Sequence, residues 1–416
     1  MRTLSWNVRG CNASDKIHLI KRCVDQVRPD IFLIQKTKIK EEDVSMFARK
    51  FQTWKCNLVG AQGASGGLAA LWKDSIVEVE VLRATRWWQW LKIKSVQLQS
   101  RFFLFNIYGP TNTNSKNQVW SEISEIVSND KENIYILGGD FNAILRPSDK
   151  MGGVGWNRQS QRDFSSFVTR AGLIEIPFKM GDFTWTNKRS GFLNIAERLD
   201  RFFIAGDWAE SQWTSEAEIH PITRLDHYPI CLRIQDENAP TRCPFRFEAM
   251  WLQDGNIRDL IEQWWKHKPV NPGNKAFTFF KKLQFIKEQL KQWNRESFRS
   301  IFKDKIDLEQ DLKSLHEHVI TKGMDEDSFR REKILSSNYS EVLAREEIYW
   351  RQKSRETWLK NGDKNTKFFH TSVKVKRAHN KISSIKNKEG ITISDINQIN
   401  HTTIEHFSKI LNRLEN

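Results

Sequence analysis

One ten-residue stretch, 134–143, constrains the fold of this chain more than any other. It reads Ile-Tyr-Ile-Leu-Gly-Gly-Asp-Phe-Asn-Ala, so an apolar run ends in two glycines, a carboxylate and an amide. The pattern predicts a buried strand, with glycines that let the backbone turn tightly where a side chain would clash. Asp140 and Asn142 would then lie at a sheet edge, facing a metal ion or a phosphate. An ordinary loop after a core strand fits the same residues, and this stretch alone leaves that alternative open.

The charge of the chain narrows the choice of partners. Its 416 residues include 66 Lys and Arg against 51 Asp and Glu, a formal net charge of +15, and nucleic acid is the commonest acidic partner of such chains. The five cysteines lack paired metal-finger spacing, so we expect neither a zinc site nor a disulfide framework. With no leader pattern and no apolar run near the roughly 18 residues of a membrane span, we expect a nuclear or cytoplasmic protein that is not secreted and has no membrane partner.

Residues 1–235 alternate short strand patterns with helical ones, which predicts two sheets packed face to face with helices outside. Polar residues recur where the predicted strands end. They are Asn7, Tyr108, Asp140, Asp200, Asp226 and His227. Each alone is a weak signal, because an Asn after a strand is usually part of a turn and a lone Asp-His pair is usually a surface loop. Their recurrence at strand ends indicates one shared polar edge.

The motifs around these residues resemble a known family. They are Trp-Asn-Val-Arg-Gly at 6–10, Ile-Tyr-Gly-Pro at 107–110, Gly-Asp-Phe-Asn at 139–142, Thr-Trp at 184–185, Arg-Leu-Asp-Arg at 198–201 and Asp-His at 226–227. In this order they look like the endonuclease/exonuclease/phosphatase superfamily, and more narrowly like the apurinic-type endonuclease domain of plant LINE non-LTR retrotransposons. The resemblance implies an α/β fold, a four-layer α/β/β/α sandwich of the DNase I-like type over 1–235. It also implies a hydrolase that cleaves DNA with Mg²⁺ or Mn²⁺.

The resemblance implies a catalytic role for five residues. Asp140 would orient or deprotonate the attacking water, with Asn142 beside it holding water or phosphate. His227 would contact the scissile phosphate while Asp200 fixes its tautomer and raises its pKa. Tyr108 would donate a hydrogen bond to the phosphate or to a metal-bound water.

The implied metal position departs from the family pattern. Asn7 and Asp226 would lie near Mg²⁺, but the glutamate that the family places after the second strand is replaced here by Lys36. A serine that commonly precedes the Asp-His pair is replaced by Leu225. Exchanging a carboxylate for an ammonium turns attraction into repulsion, so we expect Mg²⁺ binding and nuclease activity to be weakened or lost.

The substitution at position 36 leaves three interpretations open. In the first, the chain is an inactivated copy of a retrotransposon protein with little nuclease activity. In the second, it keeps residual activity, with Lys36 moved aside and Glu41 or Glu42 helping to hold the metal ion. In the third interpretation it has been recruited for binding alone, with Lys36 contacting phosphate.

The character of the sequence changes after residue 235. We expect a linker with a short helix at 236–275, a helical hairpin at 276–350 and a basic segment at 351–416, so that the second part of the chain is a mostly α-helical extension. Twelve basic residues in 351–388 face two acidic ones, with aromatic residues interleaved, which is typical of a nucleic-acid surface. The candidate contacts are Lys360, Lys364, Lys367, Lys374, Lys376 and Arg377; a solvated basic helix fits the same pattern.

The basic segment resembles the linker that leads into plant LINE reverse transcriptases. It would then be the start of a truncated reverse-transcriptase region, and we expect no polymerase activity because no Asp-Asp motif follows. The predicted partner is DNA, with RNA as a second possibility for the tail, and no small-molecule cofactor. Two alternatives to a nuclease remain: a non-catalytic nucleic-acid-binding remnant, and a lipid or inositol phosphatase of the same fold.

Overall fold

The structure is a computed structural model. It describes residues 1–11, 13–62, 66–130, 132–206, 208, 211, 213–220, 225–236, 245–267, 275–298, 301–322, 324–355, 366–382, 384–387, 392–393 and 395–412. None of the helices in these ranges is both long enough and apolar enough to cross a membrane.

The first 236 residues hold fifteen of the strands and four of the α-helices found in the described ranges. The strands are β1 (Arg2–Asn7), β2 (Ile31–Gln35), β3 (Lys55–Val59), β4 (Leu68–Trp72), β5 (Val77–Ala84), β6 (Trp88–Ser95), β7 (Ser100–Tyr108), β8 (Ile134–Asp140), β9 (Lys150–Met151), β10 (Ile174–Glu175), β11 (Trp185–Thr186), β12 (Ala196–Glu197), β13 (Asp200–Gly206), β14 (Trp213–Ile219) and β15 (Ile230–Asp236). The helices are α1 (Ser14–Val27), α2 (Val44–Arg49), α3 (Thr113–Asn129) and α4 (Arg158–Arg170).

The long strands form two six-stranded sheets. The first has the order β14-β15-β1-β2-β4-β3 and the second β10-β13-β8-β7-β6-β5. Each contains one parallel pair, β1 with β2 and β7 with β8, among antiparallel neighbours. In each parallel pair the carboxyl ends lie at the same edge, which is where Asn7, Tyr108 and Asp140 stand.

Three apolar cores place the helices on the outside of the sheets. The inner faces pack through residues such as Leu33, Leu104 and Phe202. The outer face of the second sheet packs against α3 and α4, and that of the first against α1 and α2. The predicted four-layer α/β/β/α sandwich is therefore confirmed.

A chain of buried amides crosses the interior between the sheets. Gln35 Nε2 donates to Ser5 Oγ at 3.0 Å and to Asn106 Oδ1 at 2.7 Å, and Asn106 Nδ2 donates to Gln89 Oε1 at 2.7 Å. Because buried polar groups are costly unless they are paired, these bonds favour one register of the two sheets. These hydrogen bonds hold β2 and β7 together next to the strand ends that carry the polar residues.

The glycines of the 134–143 stretch do not turn the backbone, contrary to the prediction. They lie inside β8, which continues to Asp140. Gly139 has φ +147°, and a Cβ there would lie 2.0 Å from the carbonyl oxygen of Ile107. A Cβ on Gly138 would meet the Phe202 ring at 2.5 Å. The glycines are needed because β7 and the inner core approach β8 too closely for a side chain.

Most of the described extension is helical, as predicted. Its helices are α5 (Ile257–His267), α6 (Lys275–Trp293), α7 (Ile301–Lys322), α8 (Glu326–Ser354), α9 (Thr366–Asn380) and α10 (Ile396–Asn412), with a two-stranded ribbon of β16 (Ile385–Lys386) and β17 (Thr392–Ile393). Helices α7 and α8 pack against each other within the predicted hairpin region. Helix α5 lies within the predicted linker, of which residues 237–244 and 268–274 fall outside the described ranges.

Helix α9 returns to the sandwich and packs on it. Val375 belongs to the core between the sheets. The ammonium of Lys374 is buried and donates to the carbonyl oxygens of Trp208, at 3.4 Å, and of Ser211. His379 contacts the Phe178 carbonyl through Nε2 at 3.2 Å. The extension is thus anchored to the first 236 residues through this helix.

Candidate active site

The register of the second sheet places three of the predicted site residues in one row. Tyr108 of β7 lies opposite Asp140 of β8, and Asp140 lies opposite Asp200 of β13. Asp140 is fully buried and Asp200 nearly so. Residues from three separate parts of the chain therefore meet at one edge because β8 lies between β7 and β13.

The first sheet contributes Asn7 to the same site. Its Nδ2 donates to Asp140 Oδ2 at 2.7 Å and lies 3.3 Å from His227 Nε2. This contact joins the ends of β1 and β8 across the two sheets. The predicted convergence of strand ends on one acidic and imidazole site is what the structure shows.

His227 is held by a carboxylate, as the resemblance implied. Its Nδ1 lies 2.9 Å from Asp200 Oδ2, and its Nε2 lies 3.9 Å from Asp140 Oδ2. Thr184 Oγ1 accepts the backbone N–H of Asp200 at 2.9 Å, which fixes the start of β13. The imidazole is therefore clamped at Nδ1, and Nε2 is directed toward Asp140.

The electrostatics of this pair favour a protonated imidazole. Burial lowers the pKa of His227, but the carboxylates of Asp200 and Asp140 outweigh it, and the net pKa is raised. Burial also raises the pKa of the Asp200 carboxyl, against the opposing effect of His227. A cation at His227 can stabilise negative charge that grows on a bound phosphate.

Asn142 is held beside Asp140 in a left-handed backbone conformation, with φ 47°. Its N–H donates to Asp140 Oδ1 at 2.8 Å, and its Nδ2 donates to the Gly109 carbonyl at 2.7 Å. The ammonium of Lys116, from α3, donates to the Asn142 carbonyl at 2.6 Å. Sequence reasoning missed Lys116, because nothing in a helical pattern shows that one lysine points under a distant loop.

Tyr108 lies at the same edge and is buried. Burial raises the pKa of its phenol to about 12, with Asp140 adding to the effect. The hydroxyl is therefore a neutral hydrogen-bond donor across the physiological range.

The outer part of the site is cationic. Arg9 forms an ion pair with Asp226, and Trp185 Nε1 donates to the same carboxylate oxygen at 3.0 Å. The backbone N–H of Arg9 donates to Asn7 Oδ1 at 3.1 Å. The pairing of Asp226 with Arg9 was not predicted, because the two residues are 217 positions apart.

Lys36 stands in this outer part, after β2, with φ 55°. Burial lowers the pKa of its ammonium and Arg9 lowers it further, while Asp140 and Asp226 act in the opposite direction. The ammonium also lies 6.0 Å from the centre of the Tyr108 ring. Lys36 is therefore within the electrostatic reach of the carboxylates of the site.

The two carboxylates proposed as substitute ligands make contacts elsewhere. Glu41 Oε2 accepts the backbone N–H of Gly60 at 3.1 Å, and Glu42 pairs with Lys40 at 3.1 Å in the solvent. Neither makes a contact with the residues at the strand ends in the described part of the chain.

The donor set fits a divalent cation only in part. Asp140, Asp200 and His227 each offer a ligand atom within 4.8 Å of the others, a group that could hold a metal ion. At the outer position, however, a lysine ammonium replaces the carboxylate, and Asp226 is already neutralised by Arg9. Mg²⁺ prefers oxygen donors and negative charge, so the residues present at this outer position do not fit it.

The predicted nucleic-acid contacts fall into three groups. Lys360 and Lys364 lie outside the described residues, as does the side chain of Lys367. Lys374 is buried against the sandwich, as described above. Lys376 is half-buried and donates to the Ser354 carbonyl at 2.5 Å, and Arg377 is exposed.

The sequence matches the family model described as the Endonuclease/Exonuclease/phosphatase family over residues 4–227, which contain all of the strand-end residues named above. A curated relative, an exodeoxyribonuclease of Bacillus subtilis (strain 168), is 22% identical over 254 residues, which cover 56% of this chain and 99% of the relative.

Solved structures similar to this one include three nucleases. The 3'-5' exonuclease NExo of Neisseria meningitidis has a TM-score of 0.44 at 17% identity and covers 56% of this chain and 99% of its own. The endonuclease domain of TRAS1, a telomere-specific non-LTR retrotransposon, has a TM-score of 0.44 at 15% identity, covering 57% and 99%. The AP endonuclease LMAP of Leishmania major has a TM-score of 0.48 at 14% identity, covering 57% and 88%.

Proposed function

The chain belongs to the endonuclease/exonuclease/phosphatase family, and on that premise we propose that residues 1–235 are a DNA endonuclease domain of retrotransposon origin whose metal-dependent activity Lys36 suppresses. The observation that carries the proposal is the closed set of contacts among Asn7, Asp140, Asp200 and His227. Each of these side chains is almost fully buried and contacts another member of the set. Such preorganised, buried polar groups are what catalysis of a charged transition state requires.

The geometry supports a role for each inner residue. Asp140 accepts from Asn7 and from the Asn142 N–H, so its carboxylate is held in place to bind or deprotonate a water. His227, clamped by Asp200, presents Nε2 as a donor to a phosphate oxygen or to the leaving group. Tyr108 supplies a neutral hydroxyl donor at the same edge.

The outer residues account for the proposed suppression. A divalent ion about 4 Å from a unit charge interacts with it by roughly 8 kcal/mol gross at an effective dielectric constant near 20. At position 36 that interaction is repulsive instead of attractive. Arg9 adds a second cation and occupies Asp226, which would otherwise lie near the ion.

The test is nicking of supercoiled plasmid in Mg²⁺ and in Mn²⁺ by the wild type beside Lys36→Glu. We expect little or no nicking by the wild type and an increase of at least about 100-fold in the variant, since restored attraction far exceeds the 2.7 kcal/mol that this factor represents. The double variant Lys36→Glu/Asp140→Ala controls for contaminating nuclease and should be inert. If Lys36→Glu folds and is as inactive as the wild type, the proposed suppression by Lys36 is wrong.

One observation favours a second function, binding of nucleic acid without catalysis. Arg9 and Lys36 place two cationic groups at the mouth of the site, and both are suited to a phosphate. This function predicts salt-sensitive DNA binding that persists in EDTA and in His227→Ala. Binding that needs Mg²⁺ would contradict it.

The retrotransposon origin rests on the order of the strand-end motifs and on the basic segment that follows the helical hairpin. In that setting the partner of the extension is DNA or RNA, with Lys376 and Arg377 as the described candidates for contact.

A further inference from the structure

A second charged concavity lies in the extension, apart from the residues of the candidate active site. It has a volume of about 740 Å³ and is built from four separate segments, before α5, at the end of α6, at the end of α8 and along α9. Its basic lining residues are Arg246, Lys291, Arg295, Lys353, Arg355, Lys376 and Arg377. They include three pairs of sequence neighbours, Lys291 with Arg295, Lys353 with Arg355, and Lys376 with Arg377. These pairs lie far apart along the chain, so the concavity is a product of the tertiary structure.

The acidic residues of the lining do not balance this charge. Among the described residues of the lining there are two, Glu248 and Glu288. Glu248 pairs with Lys353 at 3.2 Å, and Glu288 pairs with Lys291 at 3.2 Å. Each carboxylate therefore already forms an ion pair with a lysine of the lining.

The four arginines of the lining differ from its lysines in their pairing. Across the described residues, Arg246, Arg295, Arg355 and Arg377 form no ion pair, and all four are exposed. Like charges gathered on one concave surface repel each other and focus a positive potential into it. The ligand that such a surface suits is an anion with several charges, and guanidinium groups bind phosphate oxygens in a fixed two-pronged geometry.

We propose that this concavity, which we call the arginine cavity, binds the sugar-phosphate backbone of a single-stranded nucleic acid. A cavity of this volume encloses a small part of one strand, and the half-buried Phe245 in its lining offers a ring to a base. The proposal rests on the proposed function only in taking nucleic acid as the partner of the chain. It does not require that the active site cleave anything.

The arginine cavity is also tied to the nuclease domain. Val375 and Lys374 anchor α9 on the sandwich, and the next residue, Lys376, lines the cavity. Lys376 also lines a smaller cavity of about 240 Å³ that contains Arg146 and Arg198 of the sandwich. A strand bound in the arginine cavity would thus be held by the same helix that joins the two parts of the molecule.

The test is fluorescence anisotropy of labelled 20-nucleotide RNA and DNA strands with the full chain in EDTA, so that cleavage plays no part. The test variant is Arg246→Glu/Arg295→Glu. The matched control is Arg258→Glu/Arg331→Glu, which makes the same charge change at two exposed arginines, on α5 and α8, outside the cavity. Circular dichroism melts check that both variants fold.

We expect the cavity variant to lose at least about tenfold in affinity for the single strands, and the control to lose less than about threefold. The dependence of log K on log salt should flatten by about 1.4 in the cavity variant, because two phosphate contacts on a single strand each contribute about 0.7. A higher affinity for one of the two probes would show whether the cavity prefers RNA or DNA.

Three results would overturn the proposal. Equal losses in the two variants would mean that binding is diffuse, and unchanged binding in a folded cavity variant would mean that the strand binds elsewhere. Displacement of the strand by millimolar ATP at constant ionic strength would assign the cavity to a small polyphosphate. None of these results depends on whether Lys36→Glu nicks plasmid, so failure here and failure of the proposed function can be told apart.

Discussion

The inner and outer parts of the candidate active site differ in burial and in charge. The inner part, Asn7, Asp140, Asp200 and His227, is almost fully buried, and each side chain contacts another member of the set. The outer part carries Arg9 and Lys36, and the Arg9 side chain is 47% exposed. The inner part is closed off from solvent, whereas the outer part places two cationic side chains, Arg9 and Lys36, near Asp226.

This contrast indicates at which positions a side chain can be substituted without unfolding the protein. Buried polar groups that satisfy one another are costly to alter singly, because removing one leaves its partner unpaired. A side chain at the mouth of the site can change its charge with little effect on folding. A substitution at position 36 should therefore alter the charge of the site while it leaves the inner contacts in place.

Removal of the His227 imidazole should have the largest effect, on the rate of plasmid nicking. In the Lys36→Glu background, His227→Ala should lower the nicking rate by about 1,000-fold, within the range that one positioned acid–base group contributes. Single-turnover plasmid nicking measures it. A double variant that nicks as fast as Lys36→Glu alone would mean that the inner part does not act in the reaction.

Breaking the ion pairs that support the inner part should have the next largest effect, on the free energy of unfolding. Burial alone would raise the pKa of Glu175, but Arg201, Arg146 and Arg198 outweigh it and lower the pKa to about 2. Arg201 follows Asp200 directly and also donates to Asp149 at 2.7 Å, so this network holds the start of β13.

Replacing Glu175 by Gln should therefore lower the free energy of unfolding at pH 7 by about 3 kcal/mol. A carboxyl with a depressed folded-state pKa stabilises the fold above its unfolded pKa, near 4.5. The difference in the free energy of unfolding between the variant and the wild type should therefore shrink as the pH falls from about 4.5 toward 2. Urea unfolding across this range measures it, and Glu78→Gln, at an exposed pair with Lys94, is the control. A difference that does not vary with pH would contradict the assignment.

A smaller effect is expected from removing the charge at the mouth without adding a ligand. Lys36→Met should raise Mg²⁺-dependent nicking by about tenfold, well below the gain from Lys36→Glu, because it removes repulsion but provides no oxygen. Equal gains in the two variants would show that only the charge matters at position 36. The Mg²⁺ concentration that gives half-maximal nicking is the measurement that separates the two cases.

The smallest expected effect is at Arg9. Because its side chain is half exposed, the pair with Asp226 should contribute less than about 1 kcal/mol to stability. Arg9→Gln should therefore melt within about 3 °C of wild type. A larger fall would mean that the outer part supports the fold as much as the inner part does.

The layers of the sandwich and the residues at the strand ends could be predicted from local sequence. Local patterns were sufficient: apolar runs predicted the strands, and each of three runs ended in a polar side chain, the amide of Asn7, the phenol of Tyr108 and the carboxylate of Asp140. The presence of a lysine at position 36, directly after the second apolar run, was also readable from the sequence. The turn expected at Gly138 and Gly139 was wrong, because their function depends on the approach of β7 and Phe202, which local sequence does not contain.

Which charged side chains contact each other could not be predicted from local sequence. The pair of Arg9 and Asp226, the support of Asn142 by Lys116, and the burial of Lys374 join residues 26 to 217 positions apart. The arginine cavity likewise gathers Arg246 and Arg295 beside Arg377. Composition could show that the chain is basic, but the energy of a charge depends on its neighbours and its burial in space, and these are fixed only when the sheets and helices pack.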